Sequence, residues 1–145
     1  MRVTSKNETW FDARPEEIWA YVGDARTYPQ WVVGAAESRK VDADFPKPGT
    51  TLHHTQGLAR IGLKDTSSVV ASDEPHDLEL EVRIRPFAVN GVRFILEGDG
   101  NGRTHVTMLE WPKYGLMNRI MGPLFVPALR LRNAETLRRL KNLSE

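Results

Sequence analysis

Leu78-Glu79-Leu80-Glu81-Val82-Arg83-Ile84-Arg85 alternates apolar and charged side chains without a break. Successive side chains on a strand point to opposite faces, so this stretch reads as a strand with one buried face and one wet face. Working outward, Val92, Phe94 and Leu96 repeat the pattern. Asp73-Glu74-Pro75-His76-Asp77 reads as a turn, and Gly98-Asp99-Gly100-Asn101-Gly102 as a hairpin leading into a last strand over residues 104–111. Toward the N-terminus, residues 62–72, 50–56 and 37–41 read as further strands, with Phe45-Pro46-Lys47-Pro48-Gly49 as a loop. Short connections between alternating strands predict an antiparallel sheet.

The two ends of the chain frame this sheet. Residues 3–11 alternate and run into Asp12-Ala13-Arg14-Pro15, a strand meeting a helix start. Pro15 suits the first helical position, and Glu16 and Glu17 suit the positive end of the helix dipole. Ile18, Trp19 and Val22 form an apolar stripe. Gly23-Asp24 stops this helix, and Asp24 can cap a second short one carrying Tyr28 and Trp31. Residues 116–145 read as a long helix, with a break or kink expected at Gly122-Pro123 and Pro127. Val126, Leu129, Leu137 and Leu140 share one helical face, with Arg132, Glu135, Arg138 and Arg139 mostly opposite. Leu124, Phe125 and Leu131 add apolar surface off that face, so the first half of this helix is expected to touch protein, ligand or partner on more than one side.

Composition narrows the function classes. The 145 residues fit one domain spanning 1–145. A net charge of +1 gives no field to attract nucleic acid or an anionic membrane. Nothing basic follows the two short helices to make a DNA reader. Arg130, Arg132, Arg138, Arg139 and Lys141 are interleaved with Glu135 and read as a solvated helix face. The chain has no cysteine, which excludes disulfides, thiolate zinc sites and a thiol nucleophile. No apolar run is long enough for a membrane span and no signal peptide is visible, so a cytoplasmic location is expected.

The order of strand, two short helices, antiparallel strands and one long helix resembles the START-like helix-grip superfamily, also called SRPBCC. Within it the chain looks closest to the polyketide cyclase/dehydrase branch of bacterial proteins. The matching segments are Ala13-Arg14-Pro15-Glu16-Glu17-Ile18-Trp19, Tyr28-Pro29-Gln30-Trp31-Val32-Val33-Gly34-Ala35, Pro48-Gly49-Thr50-Thr51-Leu52-His53-His54 and Arg132-Asn133-Ala134-Glu135-Thr136-Leu137-Arg138-Arg139-Leu140. The resemblance implies an α+β fold in which a curved antiparallel sheet wraps around the C-terminal helix and leaves a pocket between them. Such folds host carriers, sensors and enzymes alike, so function has to come from the site.

Strand parity selects the residues expected to line that pocket. If Leu52 points inward, so does His54, while His53 faces solvent. If Val106 and Met108 point inward, Glu110 follows, and Asn133 falls in the middle of the apolar helix face. Trp31, Leu80, Val82, Phe94, Met108, Val126 and Leu129 complete the expected ligand-binding set with His54, Glu110 and Asn133. Each polar member has a plain structural reading: His54 at a strand edge, Glu110 solvated or paired with an arginine, Asn133 bonded to backbone or water. Each also has a functional one. His54 can bond a ligand carbonyl, and a buried Glu110 tends toward a raised pKa and a proton-donor role. Together they would be the catalytic acid and base if the protein is an enzyme acting on an enolisable ketone.

No metal or other cofactor is expected. His53 and His54 face opposite ways on a strand, the Gly98–Gly102 glycines sit between strands rather than before a helix, and Ser67-Ser68 lacks a nucleophile-elbow context. The expected partner is a hydrophobic small molecule such as a lipid, quinone or polyketide, held by a monomer or homodimer. The alternatives are a cyclase/aromatase-like enzyme and a protein-interaction module docking through the first half of the last helix.

Overall fold

The computed structural model describes residues 5–58, 61–84, 88–114 and 116–145; the side chains of 36–39, 54–58, 61–65, 84, 88, 114 and 116–125 lie outside the described residues. Seven strands form one antiparallel sheet: β1 (Ser5–Phe11), β2 (Ala35–Val41), β3 (Thr51–Leu58), β4 (Ile61–Asp73), β5 (Asp77–Ile84), β6 (Ala88–Gly98) and β7 (Thr104–Tyr114). Their order across the sheet is β1-β7-β6-β5-β4-β3-β2, so β2 to β7 form a meander and β1 joins beside β7. Helix α1 (Pro15–Val22), a 3-10 turn over Ala25–Thr27 and the one-turn α2 (Tyr28–Trp31) stand between β1 and β2. Helix α3 (Leu116–Ser144) closes the chain and packs against β1, β6, β7, α1 and α2. This is the helix-grip arrangement. No helix among the described residues is long and apolar enough to cross a membrane.

Local chemistry sets the element ends. Pro15 opens α1, and Glu17 bonds back to the Arg14 backbone N–H at 3.3 Å, satisfying an orphan donor of the first turn. Asp24 accepts from the Arg26 N–H at 3.1 Å and starts the 3-10 turn. In the β6–β7 hairpin, Gly100 and Gly102 adopt φ of 78° and 89°, which a side chain resists, and Asp99 accepts from the backbone of Asn101 and Arg103. The last strand runs on to Tyr114, past Pro112, because Pro112 sits beside the register shift at Val89/Asn90, where a missing N–H is tolerated.

The break expected in the last helix is absent. Helix α3 runs unbroken from Leu116 to Ser144, through Gly122, Pro123 and Pro127. Each proline removes one backbone hydrogen bond, and the turns on either side continue the helix. Beyond Pro127 the helix is tied down along its length. The Arg130 carbonyl accepts from Asn7 Nδ2 at 3.1 Å, Lys141 Nζ donates to the Trp10 carbonyl at 3.0 Å, and the Tyr21 hydroxyl donates to the Leu143 carbonyl at 3.0 Å. Leu137 and Leu140 are buried as their helical face requires, while Leu131 stands in solvent.

Side-chain parity holds along β5, β6 and β7 among the described side chains. Leu78, Leu80, Phe94, Leu96, Val106 and Met108 are all buried on the face toward α3. They join Phe11, Ile18, Val22, Trp31 and Leu140 in one core. On the opposite face Trp111 lies against Gly91, where an added Cβ would meet the indole at 2.2 Å. The rigid ring has no easy way to move aside. Replacing Gly91 with Ala is therefore expected to cost about 1–3 kcal/mol through overpacking, measured as a lower midpoint in urea denaturation; an unchanged midpoint would mean that the indole is free to shift.

Candidate functional site

The register of the sheet builds the floor of a cavity. Leu80 stands opposite Val92, and Val92 opposite Glu110. One rung along, Leu52, Ser67, Val82 and Asn90 succeed one another across β3, β4, β5 and β6. One rung the other way, Leu78, Phe94 and Met108 align. Directly opposed residues share a face, so apolar side chains from β3, β5, β6 and β7, with Ser67 from β4, lie on the same face as one carboxylate. Asn133 and Thr136 of α3 form the roof, and Arg132 stands at its edge. The cavity volume is about 90 Å³.

Aromatic contacts fix one wall. Trp31 is fully buried and meets Tyr28 and Phe94 edge-on, with ring centroids 5.1 and 5.6 Å apart. Its indole N–H donates to Thr27 Oγ1 at 3.0 Å, so no polar group of the ring is left bare. The Tyr28 hydroxyl donates to the Val22 carbonyl at 2.6 Å, and burial, with Asp24 nearby, pushes its pKa up. Tyr28 thus keeps its proton and serves as wall, not as base. The turn 32–35 completes this side, and the Val33 N–H donates to Thr136 Oγ1 at 3.1 Å, clasping turn to helix.

The polar end of the cavity is a network around Glu110, whose side chain is only 2% exposed. Its Oε1 accepts from Arg132 Nη2 at 2.8 Å and from Asn133 Nδ2 at 3.1 Å; its Oε2 accepts from Asn90 Nδ2 at 2.9 Å. All three partners donate, which is the arrangement a carboxylate needs when it leaves water. The proton-donor role expected for Glu110 meets no acceptor in these three bonds. Arg132, which the helical wheel places on the solvated face, reaches the cavity instead. Its side chain is 37% exposed, long enough to start on the outer side of α3 and reach the carboxylate within. The rest of that face is as expected: Arg138 and Arg139 bond Glu135 and hold its pKa at about 2.

The expected site residues divide accordingly. Trp31, Leu80, Val82, Phe94, Met108, Glu110 and Asn133 line the cavity. Trp31 is a buried part of its wall. Val126 and Leu129 are half-buried and do not line it, since the described lining of α3 begins at Arg132. Leu52 is buried and His53 is half-buried, while the His54 side chain lies outside the described residues. Asn90, Arg132 and Thr136 were not foreseen as site residues. An inward carboxylate demands donors, and that demand was the available signal for the first two.

Removing one member of the ion pair should be costly and non-additive. Arg132→Met is expected to lose about 3 kcal/mol, the lower end for a broken buried pair because the guanidinium is partly solvated. In a Glu110→Gln background the same replacement should cost at least about 1 kcal/mol less. A double-mutant cycle in urea checks this, and additive losses would mean that the pair is not coupled.

Known proteins of the same shape were found among solved structures. The protein TTHA0849 of Thermus thermophilus superposes with a TM-score of 0.74 at 11% identity, over 97% of this chain and 95% of that one. XoxI of Bacillus cereus gives 0.73 at 12% identity, over 96% and 93%. The di-domain ARO/CYC protein BexL, from the BE-7585A biosynthetic pathway, gives 0.70 at 14% identity, over 97% of this chain and 49% of that one. Likeness at such low identity speaks for the fold alone. Comparison with curated proteins gives no sequence match. A family model for polyketide cyclase/dehydrase and lipid transport proteins matches residues 2–145, and the chain belongs to that family.

Proposed function

We propose that this protein binds a hydrophobic small molecule in the cavity between the sheet and α3, with the Glu110–Arg132–Asn133 network orienting its polar end. The observation that carries this reading is the contrast within the cavity. Leu80, Val82, Val92, Phe94, Met108 and Trp31 supply an apolar body, and the hydrogen-bonding groups collect beside Glu110. Binding sites for small molecules combine these two features. Membership of a family described by cyclase, dehydrase and lipid-transport members supports the ligand class.

The volume bears on the guest. A space of about 90 Å³ is smaller than the roughly 150 Å³ that holds benzene in an engineered apolar cavity. A ring-sized guest needs a small expansion, and a lipid or polyketide needs a wall to move. Movement of the turn 32–35 would first have to break the Val33–Thr136 hydrogen bond that ties it to α3 across the cavity edge.

The acid/base enzyme reading has less support. It assigns the proton transfers to His54 and Glu110, and Glu110 is already committed to three donors. The ARO/CYC names belong to BexL and StfQ, at 14% and 10% identity. The docking-module reading called for a filled core and an exposed apolar patch over residues 116–131; the core holds a cavity, Leu131 is exposed, and the side chains of 116–125 lie outside the described residues.

Native mass spectrometry of gently purified protein, before and after addition of apolar aromatics and short lipids, is the direct test. The expected result is a one-to-one adduct. Val82→Phe, which puts a larger ring into the cavity, should weaken uptake at least tenfold with an unchanged circular dichroism spectrum. A folded protein that takes up none of the panel would overturn the binding reading.

A further inference from the structure

The polar end of the cavity carries its own counter-ion. Among the described residues that line the cavity, Glu110 and Arg132 are the two with formal charge, and they bond to each other at 2.8 Å. Glu110 sits on Arg132 as the carboxylate of a ligand would. We infer that the pair makes the cavity selective for guests whose polar end is uncharged, such as a ketone or ester carbonyl, and turns carboxylates away; this rests on the cavity-binding reading above.

The argument is one of charge balance. A guest carboxylate brought to Arg132 would also lie close to Glu110, so a second anion would join the one that Arg132 already bonds at the edge of the cavity. Like charges at that range disfavour each other strongly when little solvent screens them. Glu110 cannot yield its place easily, because Asn133 Nδ2 and Asn90 Nδ2 hold its two oxygens. A neutral carbonyl meets no such conflict. A guanidinium has five N–H donors, and among the described residues Arg132 uses one toward Glu110 and one toward Asn133 Oδ1 at 3.4 Å. A guest carbonyl needs only one of the others. Arg132 also stands where the choice is made: its side chain is 37% exposed, and it spans from solvent to the buried carboxylate.

Three probes of nearly equal size separate the contributions: ethylbenzene reports the apolar cavity alone, acetophenone adds a neutral carbonyl, and benzoate adds a carboxylate. Titration calorimetry on the full chain at neutral pH is expected to rank acetophenone first, with benzoate at least tenfold weaker. E110Q removes the competing anion and leaves Arg132 cationic. It should invert the order, with benzoate at least tenfold tighter than acetophenone. R132M should erase the advantage of acetophenone over ethylbenzene. Benzoate binding to the wild type as tightly as acetophenone would overturn the inference, and so would an unchanged order in a folded E110Q protein. Should E110Q fail to fold, the wild-type ranking and R132M decide the matter by the same criteria. Failure of the underlying binding reading has a different signature, the loss of ethylbenzene binding along with the other two.

Discussion

A carboxylate set among leucines, valines and aromatic rings has to be given donors, and much of this structure is arranged to give them. Moving such a group out of water is expensive unless every oxygen is bonded and a counter-charge is near. Glu110 comes from β7, Asn90 from the neighbouring β6, and Arg132 and Asn133 from α3. The network therefore joins two strands to the helix that covers them. Greasy contacts between a sheet and a helix tolerate sliding and rotation. Directional bonds to a single buried carboxylate do not, so the pair Arg132–Asn133 can sit at only one register over the sheet. A buried ion pair adds little net stability by itself. Its contribution here is to fix where α3 lies and what the cavity beneath it presents.

The apolar packing supplies the complementary constraint. Trp31 is held by its own hydrogen bond to Thr27 and by edge contacts to Tyr28 and Phe94. These rings brace the wall opposite the polar network. On the outer face of the sheet, Gly91 admits the Trp111 indole, and Trp111 immediately follows Glu110 in β7. Successive residues of a strand face opposite ways, so one short stretch carries both the carboxylate of the site and the aromatic plate behind it. Displacing either would disturb the position of the other.

Much of this is legible in the sequence, because period-two alternation is a backbone rule that tertiary context rarely reverses. The run from Leu78 to Ile84 reveals a strand and its buried face, and counting in steps of two from Val106 and Met108 places Glu110 on the buried side. Helical spacing places Asn133 the same way. The misreadings come where side-chain length or context decides. The angle of its Cα assigns Arg132 to solvent, but a flexible side chain ending in a fork of donors is not bound by that angle. Pro123 and Pro127 point to a break because proline removes a hydrogen bond, yet α3 continues through both. The cavity wall from Tyr28 to Ala35 is a matter of tertiary packing, and no local period encodes it.

The relation between Glu110 and Arg132 also explains why the site is difficult to read as a catalytic one. A general acid or base must exchange a proton with something that arrives, and its pKa and its free lone pair must suit that exchange. Here the carboxylate is surrounded by donors belonging to the protein itself, and its nearest cation is a guanidinium, which does not give up its proton at ordinary pH. A proton transfer through such a group would first have to break bonds that hold the helix in place. The register of α3 and the commitment of the carboxylate to its donors thus have one cause. For this chain to perform acid/base chemistry through Glu110, that network would have to relax, giving up part of what sets the register of its long helix.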